Sequence, residues 1–335
     1  MPSLSETSGL PAWLELRPAG LYCVPGDFYL DPWAPVARAV ITHAHSDHAR
    51  RGSEAYLCAA ENAPLLRHRL GNIRLQTLAW GETLNQNGLR LSLHPAGHIR
   101  GSAQVRLEYR GEVWVFTGDY KRGADPTTVP FEPIRAHGLI SESTFGLPIY
   151  QWSAPAEVMA EIVAWWESCR KEGKNALLYA YTLGKAQRIL ALLPEVGPRY
   201  VHKSIAAINY LYEQAGVKLG KWQVLVPEAL PHLQGALCIL PPAAQKARWL
   251  SRLEPYEEAQ ASGWMAVRGR RRQKALDRGF ALSDHADFYQ ILQTVKEVQP
   301  ERVIFTHGYT EAMADYLRRQ GYAAYAWCSR YEGEA

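Results

Sequence analysis

The chain has 335 residues, enough for one large domain or two ordinary ones, and its 47% apolar and 21% charged composition is that of a globular protein. No apolar run approaches the roughly 18 residues that a membrane helix needs, and the start, Met-Pro-Ser-Leu-Ser-Glu-Thr, lacks the basic and apolar stretches of a secretion signal. A net charge of +4 permits a polyanionic partner without requiring one, and five scattered cysteines without a CxxC argue against a disulfide framework and for a reducing, cytoplasmic setting.

In chain order, Leu21 to Pro32 reads as strands broken by a Pro-Gly-Asp turn, with Asp31 closing the second strand before a proline. Alone, Asp31 reads as a turn or cap residue; beside the next motif it is a carboxylate suited to orienting an imidazole. Ala34 to Thr42 reads as a short buried strand running into Ile41-Thr-His-Ala-His-Ser-Asp-His48, which places His43, His45, Asp47 and His48 within six residues. On a strand or its exit loop, His43 and His45 point the same way. Imidazoles with carboxylates suit zinc, manganese or iron, and four such groups exceed what one ion needs. The bland alternative is a polar turn with chance histidines, which eleven histidines in the whole chain make a poor account.

Ala49 to Leu70 reads as a surface helix with Arg50 and Arg51 at its start. Leu89 to His94 alternates as a strand and leads into Pro95-Ala-Gly-His-Ile-Arg-Gly-Ser102, where His98 sits on a glycine-rich exit and is a candidate ligand. Two further strands, Ala103 to Tyr109 and Glu112 to Thr117, end in Phe116-Thr-Gly-Asp-Tyr-Lys121. There Asp119 suits bridging two metals, with a turn aspartate as the alternative. Leu139 to Gly146 is another strand exit, with Glu142 at its mouth. Potential ligands recurring at strand ends are what open α/β architectures present.

From 151 to 272 no histidine–aspartate motif occurs. Ala154 to Arg170 reads as a helix, and Asn175 to Tyr181 as a strand followed by Thr182-Leu-Gly-Lys185. That turn reads either as an anion cradle with Lys185 at a helix start or as a packing turn. Alternation of strands and helices then suggests a small parallel α/β domain. Arg268-Gly-Arg-Arg-Arg-Gln-Lys274 is the densest charge run, a solvated loop or a cationic track. Two stretches then repeat the earlier pattern of an apolar strand and a polar exit: Arg278 to Asp287 with Asp284-His285, and Arg302 to Gly308 with His307. The middle is therefore an insertion, giving 1–150, an inserted 151–272, and 273–335.

With these motifs the chain resembles the β-CASP group of metallo-β-lactamase-fold nucleases over nearly its whole length. The resemblance rests on Asp31, His43-Ala-His-Ser-Asp-His48, His98, Asp119, Glu142, His285 and His307. The words Asp31-Pro-Trp-Ala-Pro-Val, Ser141-Glu-Ser-Thr-Phe-Gly-Leu-Pro and Ser283-Asp-His-Ala-Asp are similar to those of bacterial DNA-ligase-associated exonucleases. It implies a four-layer αβ/βα sandwich interrupted by an α/β β-CASP domain, and two divalent ions, zinc or manganese. One ion would take His43, His45, His98 and Asp119, the other Asp47, His48, Asp119 and His307. A metal pair can hold a hydroxide for in-line attack on a phosphodiester. His285 would protonate the leaving oxygen or bind the phosphate, with Glu142 setting its tautomer.

The resemblance implies DNA as the substrate, in DNA repair with a ligase and helicase. His307 is typical of RNA-processing members of the group, so RNA is the alternative, and a small-molecule metallo-hydrolase ranks below both. Arg50, Arg51, Arg100, Lys121 and Arg122 are expected to ring the mouth with positive charge, extended by Lys185, Arg270, Arg271 and Arg272. Tyr120 or Trp152 is the candidate base-stacking residue.

Overall fold

Period-two burial along Leu89–Pro95 shows how the strands are made: Leu89, Leu91 and Leu93 enter the core while Arg90 stays in solvent. The computed structural model describes residues 9–228, 230–267 and 276–327. Two compact units emerge, one holding the chain to Ala124, Thr128–Gln151 and the chain from His285, the other Asp125–Thr127 and Trp152–Asp284.

The first unit is built on two sheets. One takes β1 (Leu14–Arg17), β2 (Gly20–Cys23), β3 (Phe28–Leu30), β4 (Arg38–Val40), β5 (Ala55–Ala59) and β6 (Leu75–Leu78) in sequential order, antiparallel to β3 and parallel thereafter. The other holds β7 (Thr83–Gln86), β8 (Leu89–Pro95), β9 (Ala103–Tyr109), β10 (Glu112–Phe116) and β11 (Gly138–Ser143). It is completed by the late strands Arg302–Gly308 (β18) and Ala323–Ala326 (β19), in the order β19-β18-β11-β10-β9-β8-β7. Helix α1 (Ala63–Leu70) separates β5 from β6.

Leu21, Leu30 and Val40 of the first sheet share one core with Leu91, Leu93, Val105 and Phe116 of the second. On the second sheet's opposite face, Val115, Leu139, Val303 and Phe305 pack with two late helices. Those helices are Phe288–Val298, which contributes Ile291 and Val295, and Thr310–Arg319, which contributes Met313 and Leu317. Cover on both faces explains why every residue of β11 is buried, its polar ones included.

The second unit is a parallel sheet. Its strands are β12 (Asn175–Tyr179), β13 (Arg199–Val201), β14 (Gln223–Val224), β15 (Leu237–Leu240), β16 (Tyr256–Ala261) and β17 (Arg278–Phe280), ordered β14-β13-β15-β12-β16-β17. Helix α2 (Pro155–Lys171) precedes β12, α3 (Lys185–Leu192) joins β12 to β13 and α4 (Lys203–Gln214) joins β13 to β14; the two late helices of the first unit become α5 and α6. Helix α2 buries Val158, Met159, Ile162, Trp165, Trp166 and Cys169, a stripe at helical spacing, and opens with proline where no backbone donor is needed.

One local expectation fails. Ala49 to Leu70 is not a continuous helix, because Ala55–Ala59 pairs as a strand with Arg38–Val40 and Leu75–Leu78, and only Ala63–Leu70 is α-helical. Among the described residues no helix is long and apolar enough to cross a membrane.

Candidate metal centre

The centre gathers at strand exits of the first unit. Leaving β4, the chain is fixed by Asp31, which follows β3 with φ 39°. Its Oδ1 accepts from Thr42 N–H at 2.7 Å and its Oδ2 from the Thr42 hydroxyl at 2.5 Å. Oδ2 also lies 2.7 Å from Nδ1 of His48. One buried carboxylate thus ties the start of the histidine loop to its end.

Glycines bring the other loops in. Gly97 has φ 74°, and a Cβ there would stand 2.3 Å from the carbonyl oxygen of Lys121. That approach lets Lys121 N–H donate to Ala96 O at 3.0 Å, so the loops carrying His98 and Asp119 meet. Gly118, with φ 54°, presses against Thr42, the residue before His43. Backbone this close excludes any side chain.

Three imidazoles converge on Asp119. Its Oδ2 lies 3.4 Å from Nε2 of His43, 3.4 Å from Nε2 of His48 and 3.8 Å from Nε2 of His98. Nδ1 of His45 is 3.0 Å from Nε2 of His98. Among the described residues, His43, His45, His98 and Asp119 place one donor atom each within 4.8 Å of one another, and so do His48, Asp119 and His307. The His48 and His307 rings stack, 5.2 Å apart and 10° from parallel. Asp47 falls outside these groups, its Oδ2 3.7 Å from His48 Nε2 and partly exposed.

Beside them stands a further group of Asp119, Glu142 and His285. Glu142 Oε2 is 2.7 Å from Nδ1 of His285 and accepts from the Thr144 hydroxyl at 2.6 Å, while Oε1 accepts from Tyr120 N–H at 2.7 Å.

Burial pushes the His43 and His307 imidazoles down to about 3, and burial with neighbouring imidazoles holds His98 well below its ordinary value. These rings are neutral and carry lone pairs. Burial alone would lower His48 too, but the carboxylates of Asp119, Asp47 and Asp31 outweigh it and hold that imidazole high. Burial would raise Asp119, yet the His48 and His285 imidazoles hold it well below the carboxylate range. The result is an ionised carboxylate ringed by imidazoles.

The donor set fits a divalent cation. His43 Nε2 and Asp119 Oδ1 are buried without a hydrogen-bond partner, and 3.4 Å is too long to count as a good one. Leaving such atoms unsatisfied costs about 1–3 kcal/mol each, a cost that a cation accepting both would remove.

Several expected nucleic-acid contacts point elsewhere. Lys121 and Lys185 are buried, the first with Nζ 3.5 Å from His98 O and the second 3.7 Å from Asp284 Oδ2. Arg122 is held by Glu297 at 2.6 Å and Thr294 at 3.2 Å, and Arg100 pairs with Glu61 at 3.4 Å. Arg51 donates to Arg69 O at 2.8 Å; Arg50 is exposed. Apart from Arg50, these charges have internal partners. Tyr120 is fully buried and cannot stack on a base; Trp152 is half-buried. Arg270, Arg271 and Arg272 lie outside the described residues.

Sequence reasoning missed the hydroxyls. Thr42 Oγ1 is 3.0 Å from Nδ1 of His43, and Thr306 Oγ1 is 2.6 Å from Nδ1 of His307. The repeated Thr-His word at the two strand ends was the available signal.

No known protein-family profile matches the chain. It is 34% identical over 316 residues to a probable DNA ligase of Opitutus terrae, an alignment covering 92% of this chain and 30% of that protein. It is 31% identical over 125 residues to Endoribonuclease YSH1 of Saccharomyces cerevisiae, covering 36% of this chain and 16% of that protein. The chain thus spans less than a third of either relative. A crystal structure of a protein of unknown function from Enterococcus faecalis shares the fold, with a TM-score of 0.60 at 12% identity over 88% of this chain and 80% of that one.

Fold and site define an α/β protein with clustered histidine and aspartate donors suited to metal. Within that class, the relatives support a β-CASP metallo-β-lactamase nuclease related to DNA-ligase-associated proteins.

Proposed function

We propose that the chain is a metal-dependent phosphodiesterase that degrades DNA from an end, in DNA repair. The observation that carries this reading is Asp119, shared between two histidine groups with the Glu142–His285 pair alongside. Two divalent ions, zinc or manganese, would be held by His43, His45, His98 and Asp119 for one, and by His48, Asp119 and His307 for the other, with Asp47, 3.7 Å from His48 Nε2, as the fourth ligand the reading adds. Such ions, when bound, supply Lewis acidity toward a phosphoryl oxygen and activate water near neutral pH.

The chain's own residues do the rest. Asp31 takes the Nδ1 proton of His48 and leaves Nε2 as the donor atom. Glu142 accepts from Nδ1–H of His285 and favours its imidazolium, whose Nε2–H would give its proton to the leaving sugar oxygen. The reading takes the first unit as the four-layer αβ/βα sandwich and 151–272 as the inserted β-CASP domain, which falls within the second unit's Trp152–Asp284 but for its first residue. Partnership with a ligase and helicase in the cytoplasm draws support from the ligase relative and from buried free cysteines at 23, 58, 169 and 238.

RNA is the second reading, favoured by the similarity to an endoribonuclease and by His307 at the last motif. End-labelled single-stranded DNA and RNA of matched sequence, with manganese and zinc in parallel, separate the two. Progressive shortening of DNA from one end, abolished by chelator, is expected. Cleavage of RNA alone would transfer the assignment, and no cleavage of either polymer would end it.

A further inference from the structure

Two Thr-His words reach the donor cluster within the first unit, Thr42-His43 just after β4 and Thr306-His307 at the end of β18. All four side chains are buried. A hydroxyl gives one proton and can also accept, so the group that takes its proton decides what the neighbouring ring must supply. The Thr42 hydroxyl donates to Oδ2 of Asp31 at 2.5 Å. Its oxygen lies 3.0 Å from Nδ1 of His43 and can meet that nitrogen only as an acceptor, so the ring proton sits on Nδ1. Nε2 then holds the lone pair, 3.4 Å from Oδ2 of Asp119. Two acceptors face each other there, a pairing that a cation between them completes.

The second word reaches the same arrangement by a different route. Between the pairs Ser141–Phe305 and Ser143–Gly308 the register of β11 on β18 shifts, so Thr306 and His307 together oppose the single residue Glu142. On a regular strand these two neighbours would point to opposite faces. At this bulge the Thr306 hydroxyl lies 2.6 Å from Nδ1 of His307 and donates to Ser141 O at 3.5 Å. A carbonyl can only accept, so again the ring nitrogen is the donor and Nε2 keeps the lone pair. The main chain around the ring is fixed separately. Ser143 Oγ donates to His307 O, and Gly308, at φ 71°, stands where a Cβ would lie 2.4 Å from Thr144 Cα. The hydroxyl is left to set the tautomer.

We propose that Thr42 and Thr306 are positioning residues, one for each histidine group, each holding the proton of the following histidine on Nδ1 so that Nε2 is presented to a metal. The proposal rests on the reading of His43 and His307 as ligands, and the experiment separates the two. Thr306→Val keeps the branched shape without the hydroxyl, Thr306→Ser keeps the hydroxyl, and Thr42→Val makes the first change at the other word. Two readouts are used: imidazole nitrogen spectra of the metal-free protein, and zinc titration against a chromophoric chelator.

In the parent, His43 and His307 show the Nδ1–H tautomer. Thr306→Val moves His307 toward the Nε2–H form, because a buried Nδ1–H without an acceptor is costly, and leaves His43 unchanged. Thr42→Val moves His43 and leaves His307 unchanged. Thr306→Val also weakens one of two zinc ions about 10- to 100-fold, the usual cost of losing a ligand's outer partner, and Thr306→Ser restores both readouts. An Nε2–H ring at either position in the metal-free parent, parental tautomers in the valine variants, or a serine that restores neither readout overturns the proposal. Should the tautomers respond while zinc affinity stays at the parental value, the hydroxyls still position the rings and the ligand reading fails. If Thr306→Val does not fold, Thr306→Ala is read by the same two measurements.

Discussion

Asp31 Oδ2 lies 2.7 Å from His48 Nδ1, and neither side chain touches solvent. With Oδ1 accepting from Thr42 N–H, the carboxylate has no freedom to rotate away. Asp31→Asn breaks this in either orientation. If the amide oxygen stays on Thr42, its NH2 faces Nδ1 and forces the proton of His48 onto Nε2, where a metal would bind. If the amide flips, two donors meet at Thr42. Zinc affinity is expected to fall about 10- to 100-fold, read by competition against a chromophoric chelator. Unchanged affinity would remove Asp31 from the site.

Glu142 accepts from a backbone N–H and a threonine hydroxyl while holding His285. Glu142→Gln keeps the volume but turns one acceptor into a donor, so either Tyr120 N–H loses its acceptor or His285 and Thr144, which share Oε2, both do. Loss of oriented acid catalysis is typically worth about 10²- to 10⁴-fold. The expected result is a drop of that order in kcat with metal content retained, measured by single-turnover cleavage and elemental analysis. A variant that cleaves normally would show the pair to be structural.

Gly97 stands where a Cβ would lie 2.3 Å from a backbone oxygen, at φ 74°. For an alanine the left-handed conformation alone costs about 1–2 kcal/mol, and the clash with Lys121 O adds to it because backbone cannot swing aside. Gly97→Ala should therefore lower the urea midpoint by more than that conformational cost and weaken metal binding together, because His98 moves with the loop. Loss of stability with metal affinity intact would mean that the loop relaxes without displacing the histidine.

How much was legible follows from where each signal lives. His43, His45, Asp47 and His48 sit in one loop, so their clustering survives in one dimension, and the glycines around His98 mark backbone contact. His285 and His307 needed the repeated pattern of apolar strand and polar exit. The direction of a long cationic side chain was not legible. Arg122 bonds Thr294 and Glu297, 172 and 175 residues away, and nothing local announces those partners. The strand Ala55–Ala59 is hidden in the sequence for a related reason. Alanine, leucine and cysteine have little local preference against helix, and the strand exists because β4 and β6 lie on either side of it.

Metal binding itself has a thermodynamic signature apart from activity. A ligand that binds only the folded state at 100 times its Kd adds about 2.7 kcal/mol of stability. For a body of this size, that corresponds to roughly 2–4 °C per kcal/mol in melting temperature. Chelator-treated protein should melt lower and recover when zinc or manganese returns. Asp119→Ala should abolish most of that recovery, because this carboxylate belongs to both histidine groups. It also removes the ionised group that holds the His48 imidazole high, so the metal-free variant loses a buried charge pairing rather than gaining stability. The measurement is a melting curve for both proteins with and without each ion, paired with bound-metal analysis. An Asp119→Ala protein that binds and is stabilised by metal as well as the parent would show that the two histidine groups do not share a centre.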